Sequence, residues 1–257
     1  MAILTVKNVF FRFEGLHVLQ GISFAMERGE KVALIGPNGA GKTTLLNVLT
    51  GLIPPFSGRI DLLDRDITHR PPHVRTSLGL ARSFQVSSLF LQLSVLENVL
   101  LAVHGTARTS RQMVRPMTAY KSALEKAEKL LESVDLLSKR DIACRSLSHG
   151  EQRRLELILA LASGPIALLL DEPTAGLTTQ ESLELAAMLL SAANKDVAVL
   201  FVAHDLDLVF TVAQRILVLY YGKIIAEGTP EEIQANESVR KIYLGETYSE
   251  GNQRCLK

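Results

Sequence analysis

The sequence predicts an α/β fold built around a largely parallel sheet. Short apolar runs recur along the 257-residue chain, each with the length and composition of a strand that is buried on both faces. These runs are residues 31–35, 166–170, 197–203 and 216–219. Helix-length segments separate most of them, and this alternation is typical of parallel strands joined by helical crossovers.

Two regions depart from that alternation. The first stretch, to about Glu27, is rich in Val, Phe and Ile and favours additional strands. From Leu89 to about Ser163, strand signals are sparse and the pattern is helical. Its apolar residues at helical spacing are Ala123, Leu124, Ala127, Leu130, Leu131, Val134 and Leu137. We interpret this stripe as an amphipathic helix packed on a core.

The bulk composition is that of an ordinary globular protein. A net charge of +1 offers no electrostatic argument for nucleic acid as a partner. A membrane span needs roughly 20 unbroken apolar residues. The longest candidate, 157–170, is interrupted by Ser-Gly-Pro and ends at two acids, so we expect a soluble protein. The first residues alternate like a strand, so we expect a strand there and not a secretory signal.

The chain contains two cysteines, Cys144 and Cys255. They are too few and too far apart for a disulfide framework or a zinc site, so we expect a reducing, cytosolic setting.

A phosphate-binding loop follows the first buried strand. The P-loop pattern is matched by Gly36-Pro37-Asn38-Gly39-Ala40-Gly41-Lys42-Thr43, with a helix predicted to begin after Gly41. Glycines let the backbone amides approach phosphate oxygens, and the helix N-terminus adds a partial positive charge. Lys42 would reach the β- and γ-phosphates, and Thr43 would offer its hydroxyl to Mg²⁺. Thr44, the next helical residue, completes the predicted ATP contacts.

Two adjacent acids end the second buried run. Asp171 closes the strand, where it would hold Mg²⁺ directly or through water. Glu172 follows and would polarise the attacking water as a general base. Acids at a strand end are often only solvated or capping residues, but the preceding P-loop favours the catalytic interpretation.

A third motif, Leu147-Ser148-His149-Gly150-Glu151-Gln152, precedes a predicted helix. Ser148 and Glu151 have capping-box spacing, which a well-started helix alone would explain. Taken with the P-loop and the acidic pair, the segment resembles the signature motif of ATP-binding cassette (ABC) ATPases. The resemblance extends from about residue 3 to 246, and the motifs occur in the order that the family has.

The resemblance implies one ABC-type nucleotide-binding domain over residues 1–257. Its parts would be a P-loop NTPase (RecA-like) core with a mostly parallel sheet and an N-terminal antiparallel β subdomain. A helical subdomain would be inserted at about 87–162, and a C-terminal tail would occupy about 236–257.

Further site residues follow from the family resemblance. Gln85 matches the Q-loop glutamine, which contacts Mg²⁺ and the attacking water, and His204 matches the switch histidine, which contacts the γ-phosphate. Phe13 lies where the family places an aromatic residue on adenine, although tyrosine is commoner there and Phe10 and Phe11 are neighbours.

The family resemblance also implies a dimer. The signature segment of one subunit completes the ATP site of the other, so Ser148, His149, Gly150 and Glu151 would contact ATP held by a second ATPase subunit, identical or different. Two positions depart from the common pattern. His149 replaces a frequent glycine, and Thr178 stands where many members carry aspartate in the D-loop.

Several segments are similar to the branched-chain amino acid uptake branch of prokaryotic importers: 78–85, 89–90, 94–99, 151–156, 221–230 and 243–246. That branch implies two integral-membrane permease subunits and, indirectly, a periplasmic or surface solute-binding protein. The ATPase would then lie on the cytoplasmic face of the inner membrane, with no nucleic-acid partner.

Residues 86–98 would receive the permease, and an apolar surface of Val86, Leu89, Phe90 and Leu91 is expected there. The alternative is that these side chains lie inside the helical subdomain.

Three alternative functions remain open at this point. One is the ATPase of a lipopolysaccharide-export system, another is a soluble, non-transport ABC protein, and the third is a regulatory cassette that only binds ATP. The transported solute is not specified by these motifs.

Overall fold

The computed structural model describes residues 2–82, 89–105, 121–192, 196–203 and 205–245. The strands are β1 (Ala2–Phe13), β2 (Leu16–Glu27), β3 (Lys31–Ile35), β4 (Ser57–Leu62), β5 (Arg65–Asp66), β6 (Leu80–Arg82), β7 (Ala167–Asp171), β8 (Ala198–Val202), β9 (Arg215–Tyr220) and β10 (Lys223–Gly228). The helices are α1 (Lys42–Thr50), α2 (Pro72–Ser77), α3 (Val95–Gly105), α4 (Lys121–Glu132), α5 (His149–Ala162), α6 (Thr179–Ala192), α7 (Leu206–Val212), α8 (Pro230–Ala235) and α9 (Glu237–Gly245). No helix among these residues is long and apolar enough to cross a bilayer.

A six-stranded sheet forms the centre of the fold, in the order β10-β9-β3-β8-β7-β6. Four of its five pairings are parallel, and only β10 runs antiparallel to its neighbour β9. Side chains alternate between two cores. Val32 and Leu34 pack on the side of α1, whereas Ala33 and Ile35 pack on the side of α5, α6 and α7. The predicted α/β fold with a mostly parallel sheet is therefore confirmed.

The N-terminal strands form a second, antiparallel sheet in the order β2-β1-β4-β5. Val6 of β1 and Leu19 of β2 belong to the same buried cluster as Leu45 and Leu49 of α1. This packing places the β1–β2 pair against the helix that follows the phosphate-binding loop.

The third buried cluster joins α3, α4 and α5. Within α4, Ala123, Ala127 and Leu131 are buried, as the helical stripe predicts. The prediction is wrong beyond Glu132, where the helix ends. Asp135 adopts a positive φ of 56°, and the amide of Leu136 turns back to the carbonyl of Leu131 at 2.9 Å. The stripe continues through this turn to Val134 and Leu137 because those side chains still pack on the same cluster.

Candidate active site

The predicted catalytic elements meet at the carboxyl edge of the parallel sheet. Leu34 of β3 and Asp171 of β7 both align with Val202 of β8, between them. The phosphate-binding loop leaves β3 at that level, and Arg82 ends β6 beside β7. Open parallel sheets place ligands at this edge because the loops that follow the strands converge there.

The phosphate-binding loop is shaped by positive φ angles and by its neighbours. Gly36 has a φ of 156°, and a Cβ there would lie 2.1 Å from the carbonyl oxygen of Leu219 in β9. Gly39 also has a positive φ, 78°, but a Cβ there would meet nothing within 4 Å. The first glycine is thus required by close packing against the neighbouring strand, in addition to any approach by phosphate.

The β9–β10 turn supports the loop from behind. The amide of Gly222 donates to the carbonyl of Ala40 at 3.0 Å, and the amide of Gln20 donates to the carbonyl of Gly222 at 2.8 Å. The side-chain amide of Gln20 also donates to the carbonyl of Tyr221 at 2.8 Å. Strand β2, the turn and the loop are therefore tied together by backbone hydrogen bonds.

Lys42 begins α1 and is buried. Its Nζ donates to the carbonyl oxygens of Gly36 at 2.5 Å and Pro37 at 3.0 Å. Burial lowers the pKa of Lys42, while the carboxylates of Glu172 and Asp171 act in the opposite direction. The ammonium and both acids therefore share one electrostatic environment.

Thr43 is exposed and Thr44 is half-buried in the first turn of α1, and no side chain caps this helix. The start of α1 is consequently available to an anion.

The side chain of Asp171 is fully enclosed, with 0% exposure. Its Oδ2 accepts from Nη2 of Arg82 at 2.9 Å, while Oδ1 is buried without a hydrogen-bond partner. Burial raises the pKa of Asp171, an effect opposed by the Arg82 and Lys42 charges and reinforced by that of Glu172. A buried oxygen without a partner is unusual in a folded protein, and a bound ion is one of the partners that would satisfy it.

Glu172 has a φ of 49°, which is unusual for a residue other than glycine. Its amide donates to the carbonyl of Val202 at 3.0 Å, which anchors it to β8. A cavity of about 190 Å³ lies beside it, also bordered by Thr174, Ser182 and Asp205. That space can hold several water molecules, so Glu172 borders a region that water can enter.

The oxygen ligands in this site suit magnesium, which shares its ligands with the nucleotide, better than a metal ion whose ligands all come from the protein. Among the described residues, no group of three or more His, Cys, Asp or Glu could hold a metal ion. Magnesium is usually bound by one or two carboxylates together with substrate phosphates. The unpartnered Oδ1 of Asp171 and the exposed hydroxyl of Thr43 fit that pattern.

The signature segment lies at the start of α5. Ser148 caps the helix, accepting from the amide of Glu151 at 3.3 Å, and the Glu151 carboxylate accepts from the amide of Ser148 at 2.9 Å. Lys139 forms an ion pair with Glu151. Gly150 is buried, whereas Ser148 and His149 are exposed. The capping box predicted from the spacing is present, and the serine at its tip is accessible to another molecule.

The D-loop packs against the signature segment of the same chain. Thr178 donates its hydroxyl to Glu181 at 2.8 Å, and the Glu181 amide donates back to that hydroxyl at 3.3 Å. A Cβ on Gly150 would lie 2.9 Å from the Glu181 carboxylate, and one on Gly176 would lie 3.3 Å from the His149 ring. Thr178, which stands where many family members carry aspartate, therefore caps α6. Glu181 connects that cap to the signature helix α5.

The three aromatic candidates for adenine stacking differ in exposure. Phe13 ends β1 and is 63% exposed, whereas Phe10 is 37% exposed and lies over Gly21. Phe11 packs against the main core. Phe13 is thus the side chain most open to a ligand.

Two predicted site residues, Gln85 and His204, lie outside the described residues. One residue of the site was missed in the sequence. Arg82 lies within the importer-like segment 78–85, but no motif indicated its contact with Asp171.

Comparisons with known proteins agree with these features. The profile of the family described as "ABC transporter" matches residues 19–175, and that of "Branched-chain amino acid ATP-binding cassette transporter" matches residues 223–249. The chain is 38% identical to the high-affinity branched-chain amino acid transport ATP-binding protein LivG of Salmonella typhimurium, over 95% of this chain and 98% of that protein.

It is 34% identical to the lipopolysaccharide export system ATP-binding protein LptB of Escherichia coli, over 96% of this chain and 99% of that protein. The crystal structure of MJ1267 in its ADP conformation, an ATP-binding cassette of an ABC transporter, superposes with a TM-score of 0.85 at 30% identity. The superposition covers 95% of this chain and 99% of the MJ1267 chain. The family resemblance predicted from the motifs is confirmed: the chain belongs to the ABC transporter family, as one of its ATP-binding and ATP-hydrolysing subunits.

Proposed function

We propose that this ATPase powers uptake of branched-chain amino acids, or of related small organic solutes, from the cytoplasmic face of the inner membrane. The observation that carries this proposal is the match of residues 223–249 to the branched-chain amino acid profile. The higher identity to LivG than to LptB supports the same choice over lipopolysaccharide export.

We assign the chemistry of the site from the geometry of its described residues together with the family resemblance. The loop amides and Lys42 would bind the phosphates, and Phe13 would stack on adenine. Mg²⁺, held by Thr43, Asp171 and Gln85, would supply positive charge to the phosphates. Glu172 would accept a proton from the attacking water, and His204 would contact the γ-phosphate.

The exposed signature serine supports assembly as a dimer. Ser148 lies at a helix N-terminus, where amides and the helix dipole favour an anion. ABC ATPases pair as dimers and work with membrane permeases. We therefore assign Ser148, His149, Gly150 and Glu151 to the ATP site of a second subunit, identical or different.

The permease would contact the loop that precedes α3. Phe90 and Leu91 are 60% and 43% exposed. Leu89 is buried in the helical cluster, so its expected exposure is wrong, and Val86 lies outside the described residues. The Asn98 side chain holds the loop by bonding the amide of Phe90 at 2.9 Å and its carbonyl at 3.1 Å.

The test is solute uptake in cells that lack this subunit, with labelled leucine, isoleucine, valine and urea. Uptake of at least one solute should be lost and should return with the parent gene. Complementation with Phe90→Ser should fail to restore uptake while the purified variant still binds ATP. Phe56→Ser removes a phenylalanine of similar exposure, 58%, whose ring lies 3.8 Å from the Arg12 guanidinium of β1 and not in the loop before α3, and it should restore uptake.

Unchanged uptake of all four solutes would contradict the importer proposal. Equal complementation by the two phenylalanine variants would contradict only the docking assignment.

A further inference from the structure

Arg82 connects two elements of the active site that are distant in the sequence. Its Nη2 donates to Oδ2 of Asp171, at the end of β7, and its Nη1 donates to Oδ1 of Asn47, in α1, at 2.5 Å. The Arg82 side chain is only 9% exposed. One buried guanidinium thus joins the aspartate of the site to the helix that follows the phosphate-binding loop.

This contact makes the two oxygens of the aspartate unequal. Oδ2 is occupied by Arg82, and Oδ1 is buried without a partner. A carboxylate held through one oxygen cannot rotate freely, so its second oxygen keeps a fixed direction. Groups that hydrogen-bond to a metal ligand orient it in this way, and their loss typically lowers metal affinity about 10–100-fold.

We propose that Arg82 is a positioning residue for magnesium: it fixes Asp171 so that Oδ1 is presented to the ion beside the nucleotide phosphates. Through Asn47, the same guanidinium sets the position of the aspartate relative to α1, which carries Thr43. This inference rests on the proposed role of Asp171 as a magnesium ligand.

An arginine suits this role better than a lysine. The planar guanidinium presents several N–H groups in a fixed fork and can bond two oxygens on different elements at once. A lysine at position 82 would keep the positive charge beside Asp171 but would lose the fixed geometry. Arg82→Lys therefore separates positioning from simple charge neutralisation.

A competing role for Arg82 is also physically reasonable and predicts a different result. A positive charge beside Asp171 competes with a cation for the same carboxylate, and Arg82→Lys keeps that charge, so competition alone would leave the magnesium requirement unchanged or lower it. A rise in the magnesium requirement of Arg82→Lys therefore distinguishes positioning from competition.

The experiment measures binding of a fluorescent ATP analogue to the full chain, first in EDTA and then across a magnesium titration. For Arg82→Lys, the magnesium concentration that gives half of the magnesium-dependent binding should rise about tenfold. Affinity in EDTA should stay within twofold of the parent. Asn47→Ala keeps the Arg82–Asp171 pair and should show a smaller rise in the same direction.

Arg215→Lys is the matched control. Arg215 begins β9, three strands away from β7 in the same sheet, and pairs with Glu30 through two hydrogen bonds of 2.7 and 3.0 Å. The Arg215→Lys substitution removes a comparable pair of arginine–carboxylate hydrogen bonds, at the amino end of β9 and away from the phosphate-binding loop. Thermal unfolding temperatures of both variants show whether general destabilisation accounts for any change in binding.

Each remaining outcome has a defined meaning. An unchanged or lowered magnesium requirement in Arg82→Lys, or an equal rise in Arg215→Lys, would overturn the positioning role. Asp171→Asn tests the assumption on which this role rests, namely that Asp171 binds magnesium. If Asp171→Asn leaves the magnesium requirement unchanged, the proposed magnesium site itself is wrong. If it raises that requirement while Arg82→Lys does not, only the role of Arg82 fails.

Discussion

The two regions that would surround ATP in a dimer are built differently. The phosphate-binding loop and the acids follow buried strands. The Gly222 amide of the β9–β10 turn holds the loop, and Gln20 of β2 holds that turn through its backbone and side-chain amides. The signature segment and the D-loop are held by side-chain caps, Ser148 with Glu151 and Thr178 with Glu181. The described part of the first region is thus held by contacts within the chain, whereas the second presents an exposed Ser148 at its surface. This contrast predicts different consequences for mutations in each region.

The largest effect is expected in the buried region, from Glu172→Gln. Loss of a positioned general base typically slows a reaction by about 10²–10⁴-fold. Glutamine has nearly the same shape, so the phosphate-binding loop should remain intact and ATP should still bind. Phosphate release and analogue binding, measured on the same preparation, check the two expectations. Light scattering should show an ATP-bound dimer accumulating, and hydrolysis at the parent rate would show that Glu172 is not the base.

The next effect concerns the backbone of the loop. Gly36→Ala places a Cβ 2.1 Å from the Leu219 carbonyl and imposes an unfavourable φ, so unfolding without nucleotide should become easier by about 3 kcal/mol. Gly39→Ala imposes only the unfavourable φ and should cost about 1–2 kcal/mol. Urea unfolding curves give both values. Equal losses would mean that contact with β9 does not determine the loop.

The predictable parts of the molecule are those encoded locally. Uninterrupted apolar runs predicted four of the six strands of the central sheet, β3, β7, β8 and β9, because a strand buried on both faces tolerates few polar residues. The two edge strands, β6 and β10, were not predicted by such runs. Lys42 and the acid pair were predicted because each occurs in a short motif attached to such a strand. The Ser148 cap was predicted because its two partners lie three residues apart in the chain.

The unpredicted parts depend on contacts between distant segments. Arg82 is 35 residues from Asn47 and 89 from Asp171, so no local pattern connects them. The positive φ of Glu172 was also not predictable, since that conformation is usually marked by glycine. The choice among Phe10, Phe11 and Phe13 depended on which of them the two sheets leave exposed.

The smallest loss of stability is expected from removing a helix cap in the exposed region. Comparing two such caps shows whether Ser148 only stabilises its helix or also contacts nucleotide. Ser148→Ala removes the cap of α5, and Thr229→Ala removes an equivalent capping box at α8. Each should cost about 1 kcal/mol in urea unfolding. Only Ser148→Ala should also lower ATP hydrolysis, by about tenfold, because a hydrogen bond to a charged phosphate contributes about 1.5–3 kcal/mol.

The comparison of the two capping variants is informative because their stability losses are matched. If hydrolysis declines only because the protein is less stable, the decline should be equal in both variants. Ser148 would then act only as a helix cap. A decline confined to Ser148→Ala would mean that the exposed serine contacts nucleotide. Because the phosphate-binding loop of the same chain is unaltered in that variant, ATP binding by the isolated chain should persist. The lost step would then be closure by the second subunit, which ATP-dependent dimer formation in light scattering would show directly.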